Sequence, residues 1–207
     1  MKKTILLVAL LIFTGIYAQT NDLVTYTDLS KEKTNLIKEE FTVYFYNVKN
    51  QDWEKVIDKM HPEFLEMMSR DNLILQMNNA FDNEIFTTSF TKMEIQEVKK
   101  TFSYEQVLYT KVGYSSSFTF HFKKTEGQTD EEFNVYVDNM TGIYNNQFKG
   151  QTITRKGDGI IVEGNKEILV IDNPDYEELK MLEYDSGLKM VYDIIFPKAV
   201  VTELTKE

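Results

Sequence analysis

The chain has 207 residues, a net charge of −10 and no cysteine. The acidic balance repels phosphate backbones and anionic lipid, so nucleic acid is not an expected partner. The absent thiol excludes disulfide staples and cysteine catalysis, and stability must come from a core that 14 Phe and 12 Tyr are large enough to build.

Residues 1–18 read as a secretory signal: a basic start at Lys2 and Lys3, an apolar run from Ile5 to Ile12, and a small-residue exit at Ala18. The run is too short to span a bilayer, which takes roughly 20 apolar residues. Cleavage after Ala18 leaves no Cys for lipidation, so the mature chain is expected without a membrane anchor, exported to the periplasm or secreted. The segment 19–29 is polar and expected to be loosely ordered, and residues 30–207 have the length of a single α+β domain.

Helical spacing begins behind Ser30, a suitable N-cap. Leu36, Ile37, Phe41, Tyr44, Phe45 and Val48 recur every three or four residues and predict a helix over about 31–48. Trp53, Val56, Ile57 and Met60 form a second short helix, with Asp52 positioned to cap it and His61-Pro62 to end it. Ser69 opens a third helix that presents Leu73, Ile74, Met77 and Phe81 and closes at Asp82-Asn83.

From Lys92 the period changes to strands, with Phe118, Phe120 and Phe122 in strict alternation. Phe133, Val137, Met140, Tyr144 and Phe148 step helically behind a Thr129–Glu132 capping box, which predicts an extra helix near 130–148. Phe133, Val135 and Val137 also alternate, so a strand is the rival reading there. Three β runs follow, at 152–155, 160–163 and 167–172, separated by the turn-forming Gly157-Asp158-Gly159 and Gly164-Asn165. A last strand near 179–184 precedes a C-terminal helix that carries Met190, Val191, Ile194 and Ile195 and restarts at Pro197. Helices first and a strand meander afterwards argue an α+β fold, with helices packed on one face of an antiparallel sheet.

The run 46–64, with its Asn50 break, Asp52-Trp53 pair and His61-Pro62-Glu63-Phe64 exit, resembles the helical entry of the nuclear transport factor 2-like superfamily. The resemblance implies a strongly curved sheet forming a helix-lined cone around a pocket. Its ketosteroid isomerase-like and SnoaL-like members are enzymes, and others only bind. The matching positions are framework residues, so the resemblance implies no catalytic assignment, and fold alone does not supply function.

Few groups carry chemistry. His61 and His121 are the only histidines. His61, before Pro62, reads either as a general base at a pocket mouth or, more plainly, as a helix-end hydrogen-bonding residue. His121 points away from Phe120 and Phe122, and faces a pocket only if the cone interior lies on that side. Trp53 and Tyr114 complete the candidate pocket residues, although an aromatic at these spacings is more often core. Asp172, Asp175 and Glu178 lack the loop glycine and acidic density of a Ca²⁺ site, Gly157-Asp158-Gly159 has no following Lys-Ser or Lys-Thr, and the serines 115–117 lack nucleophile-elbow glycines. No cofactor and no metal are expected. The leading expectation is non-catalytic binding of a small apolar molecule or a protein partner. The alternatives are an isomerase or dehydratase using a buried carboxylate and a Tyr, and a structural interaction module that forms a homodimer through the open sheet face.

Overall fold

Alternation and β-branching in the second half of the chain build one antiparallel six-stranded sheet, and a computed structural model describes it for residues 24–206. The expected signal segment 1–18 lies outside the described residues. Strand β1 (Thr25–Tyr26) is followed by helices α1 (Lys31–Lys49), α2 (Trp53–Asp58), α3 (Pro62–Met67) and α4 (Arg70–Phe81). Strands β2 (Phe86–Tyr104) and β3 (Val107–Phe122), helix α5 (Asp130–Gln147), and strands β4 (Thr152–Lys156), β5 (Gly159–Asp172) and β6 (Lys180–Tyr184) come next. A short 3-10 turn leads into α6 (Lys189–Ile195) and α7 (Lys198–Leu204). The architecture is α+β, with the sheet bent into a strongly curved half-barrel. Among the described residues no helix is long and apolar enough to cross a membrane.

The strand order is β1-β2-β3-β5-β4, with β6 also paired to β5. Three register shifts in the long β2–β3 hairpin, at Phe90/Lys92, Ile95/Glu97 and Val98/Thr101, supply curvature, because each extra residue bends its strand and raises the local twist. One face of the sheet is the helix-covered interior. There Ile37 and Phe41 of α1 pack on Val112, Tyr114, Ile168 and Val170, while Val137 and Tyr144 of α5 pack on Phe118, Phe122, Ile160 and Val162. Val48, Trp53 and Val56 form a third apolar group, joined to the second through Phe90. The opposite face carries Phe102, Tyr109, Leu169 and Ile171 under α6 and α7. β5 is therefore buried on both faces at Ile168–Ile171, which is why that stretch is continuously apolar instead of alternating. Each fully buried Ile or Leu there contributes roughly 1.5–3 kcal/mol.

Three of the four predicted caps form. The Ser30 and Ser69 side chains accept from Lys33 N–H and Asn72 N–H, and the Thr129–Glu132 capping box is complete, so the helical reading of 130–148 prevails over the strand. Several expectations are corrected. Among the described residues the first half holds four helices and not three, since Pro62 opens α3 as well as following the end of α2. Asp52 makes no side-chain cap and instead takes the Lys55 ammonium at 2.6 Å. β2 begins at Phe86, ahead of the expected change at Lys92. Residues 105–106 form the tight β2–β3 turn with positive φ at Glu105 and Gln106, a conformation that sequence reading assigns to Gly or Asn. The segment 19–29, expected to be loose, is tied down where it is described: β1 pairs with Phe102–Ser103, and the Tyr26 hydroxyl donates to Glu203. Finally, Gly164-Asn165 is not a turn. β5 runs unbroken from Gly159 to Asp172, and Gly164 lies in its middle.

Candidate functional site

β4 and β6 share one edge of β5 end to end. β4 pairs with β5 from Gly159 to Glu163 and β6 from Glu167 to Ile171, so among the described residues no strand covers 164–166 on that edge. A cleft of about 770 Å³ opens at this gap, with Phe148, Gln151, Asn165, Lys166, Glu183 and Asp185 among its walls. The reason for the gap is local. The chain bends at Gln151 before β4 begins, and leaves β6 at Asp185 for the 3-10 turn.

The side of the gap facing the helices carries a row of polar groups. Tyr114 and Lys166 are cross-strand partners, and Glu183 stands beside Ile168 on the same face. The Tyr114 hydroxyl donates to both Glu183 carboxylate oxygens, at 2.8 and 2.6 Å, and Lys166 Nζ reaches Oε1 at 3.2 Å. The Phe41 ring, centred 5.3 Å away, fixes the Tyr114 ring. Burial, reinforced by the Glu183 charge, pushes the Tyr114 phenol far above its ordinary range, and burial followed by the same charge raises Tyr44. Both phenols stay protonated at every physiological pH, so Tyr114 is a fixed donor and Glu183 its acceptor. The Glu183 side chain is 40% exposed, which opens it to the cleft, and its lone pairs are already engaged by a phenol and an ammonium. Such a carboxylate orients a ligand better than it abstracts a proton.

Two buried side-chain atoms nearby have no partner among the described residues: Ser116 Oγ and Gln151 Oε1. Ser116 is the cross-strand partner of Gly164, and a Cβ on Gly164 would stand only 2.7 Å from Gln151 Cγ. Glycine is required there because the Gln151 side chain lies directly on the strand, the close-approach role of a mid-strand glycine. A buried polar atom left unpaired costs about 1–3 kcal/mol, so two at one place single out this seam.

Of the candidates read from sequence, only Tyr114 adjoins this site: its ring is buried and does not line the cleft, and its hydroxyl holds Glu183, which does. Trp53 is buried among the helices, its ring edge-on to Phe81 and its Nε1–H donating to Asn78 Oδ1 at 2.7 Å. His61 is the N-cap residue of α3, buried between Tyr176 and Phe196 with Nδ1 unpartnered. Burial, aided by the Lys180 charge, lowers its pKa to about 4, so it is neutral. His121 is exposed on the face opposite the phenylalanines, with Nε2 3.1 Å from Ser89 Oγ. Two of the acidic residues at the end of β5 and beyond it are engaged in ion pairs, Asp172 with Lys33 and Glu178 with Lys59, both at 2.5 Å.

A second cleft, of about 570 Å³, lies beside β1 and is lined by Tyr26, Asp28 and Lys100. The adjoining buried carboxylate is fully engaged. Burial pushes Glu203 up, but hydrogen bonds from Lys100, Lys206 and Tyr26 outweigh it and hold the carboxyl at about 2. That cluster clamps α7 onto β1 and β2. Nothing in the sequence singles out Glu183, Lys166 or Gln151, and Ser116 reads there only as one of the strand serines 115–117; the one local signal is Gly164-Asn165, whose composition is that of a turn. The chain matches no family model, no curated protein and no solved structure.

Proposed function

We propose that this protein is an exported binding domain that holds a small ligand in the cleft between β4 and β6 without turning it over. The observation that carries the reading is the partnering of Glu183. Tyr114 and Lys166 hold the carboxylate as a preset acceptor in the wall of the cleft. Ligand sites commonly combine a concave wall with a few placed polar groups. The polar lining favours a ligand that makes hydrogen bonds over the wholly apolar one first expected. Export rests on the basic, apolar and small-residue layout of residues 1–18. Kinship with the nuclear transport factor 2-like cone rests on the 46–64 run and on the order of helices before a bent antiparallel sheet.

Thermal denaturation of residues 19–207 against a chemically diverse ligand library tests the reading, since a ligand bound only by the native state raises the melting temperature. At least one compound should raise it in the parent and not in Glu183→Gln. Stabilisation untouched by that substitution places the ligand elsewhere and refutes the assignment. A second reading, proton-transfer catalysis, is favoured by the contact of a phenol with a carboxylate at a cleft. It requires solvent deuterium to enter a bound carbon acid in the parent and not in Glu183→Gln.

A further inference from the structure

We infer that the cleft takes a free α-amino acid in its zwitterionic form, seated opposite Asn165 as the one residue missing between β6 and β4. The inference rests on the binding reading above and narrows it to a chemical class.

The first observation is register. Both β4 and β6 run antiparallel to β5, and their pairings Thr152↔Glu163 and Tyr184↔Glu167 continue to Gln151 beside Gly164 and Asp185 beside Lys166. The 2.7 Å from a Cβ on Gly164 to Gln151 Cγ sets Gln151 there independently. One position, opposite Asn165, is left without a residue. In an antiparallel ladder a residue turns both its N–H and its C=O to one edge, and its neighbours turn theirs to the other. Asn165 is the residue of 164–166 turned away from β3, so the open edge offers one N–H and one C=O, and no other backbone group among the described residues takes either. Their natural partner is a single residue with one acceptor and one donor, which the carboxylate and ammonium of an amino acid supply.

The second observation is charge. Five charged residues line the cleft. Lys166 pairs with Glu183 at 3.2 Å and Glu167 with Lys99 at 2.7 Å, while Lys149 and Asp185 make no ion pair among the described residues. One cation and one anion remain, which suits a ligand that carries one of each. Their order along the edge also agrees. The Asn165 N–H lies toward the Gly164 end, where the chain arrives from Lys149 through Gln151, and its C=O lies toward the Lys166 end, where Asp185 stands. An amino acid running antiparallel to β5 puts its carboxylate at the first end and its ammonium at the second. Asp185 gives Oδ1 to the Gly187 N–H and has Oδ2 left, and Glu183, at the same end, keeps lone pairs beyond those that Tyr114 and Lys166 occupy.

The third observation is length. A second ligand residue at either end would meet Gln151 or Asp185, so a peptide does not fit in register. The ligand's side chain falls on the face of Asn165, between Tyr184 and Thr152, neither of which is buried. Recognition therefore falls on the two charged groups that every amino acid carries.

The test is amide NMR of residues 19–207 titrated separately with glycine, L-alanine, L-leucine, L-phenylalanine, L-serine, L-glutamate and L-lysine, with the N-acetyl and carboxamide derivatives of each, and with trialanine. The inference expects at least one amino acid to shift the resonances of Lys149, Asn165 and Asp185. Both of its blocked derivatives should bind roughly tenfold or more weakly, since each loses a charge-assisted contact. Lys149→Gln and Asp185→Asn, at exposed positions, should each weaken it several-fold, and the Asn keeps an acceptor for Gly187. A blocked derivative that binds as tightly as its parent would overturn the inference. So would trialanine shifting these residues while the amino acids do not, or silence from every amino acid. If the amino acids fail but a compound from the thermal screen shifts the same residues, the binding reading stands and only the amino-acid class falls. If nothing shifts them, both fall.

Discussion

The interior face of the sheet has two ends built on opposite terms. Under α5, Phe118, Phe122, Ile160 and Val162 meet Val137 and Tyr144 in an apolar cluster that closes completely. One residue pair further along the same strands, Ser116 faces Gly164 and Tyr114 faces Lys166, the polar groups are not all satisfied, and the sheet gaps beside them. The strands are continuous between the two places and the register does not shift, so the difference comes from side chains alone. Burial that pairs everything makes structure. Burial that leaves hydrogen-bonding capacity over, next to an opening, makes a place for something else.

Substitutions sharpen the contrast. At the closed end, Phe122→Ala should cost about 3–5 kcal/mol in urea unfolding, because the cavity forms in a tightly packed aromatic cluster. A loss below about 1 kcal/mol would mean that the end is not closed. His61 provides a control outside both regions, a polar group buried without charge. Its folded pKa of about 4 lies below the ordinary 6.5, so the unfolded chain takes up the proton first. Its contribution is intact above pH 6.5 and is lost as pH falls toward 4. The unfolding midpoint should drop across that window, and His61→Leu should flatten the drop. At the open seam the sign reverses. Ser116→Ala removes an unpaired hydroxyl and should leave stability unchanged or raise it by up to about 1 kcal/mol. A clear loss would show that the hydroxyl is partnered in the native protein.

The closed end was half legible in the sequence: strict alternation at Phe118, Phe120 and Phe122 marks a strand, whereas 133–148 fits a helix and, through Phe133, Val135 and Val137, a strand as well, and the completed Thr129–Glu132 capping box decides it. The seam was not legible. Gly164-Asn165 carries the composition of a turn, and only the tertiary approach of Gln151 explains a glycine in mid-strand. Glu183 and Lys166 are ordinary charges along the chain, and they meet because β6 and β3 both flank β5. The same limit applies to Glu105-Gln106, where a tight turn forms without the residues that usually announce one.

The central claim is that the sheet is open at residues 164–166, and native-state amide hydrogen exchange tests it directly. The account predicts that the Asn165 amide, the one amide of 164–166 that the register turns away from β3, exchanges orders of magnitude faster than those of 160–162 and 168–171, where strands pair on both edges of β5. Uniform slow exchange from 160 through 171 would mean that β4 and β6 meet over β5 and that no gap exists for a ligand to enter.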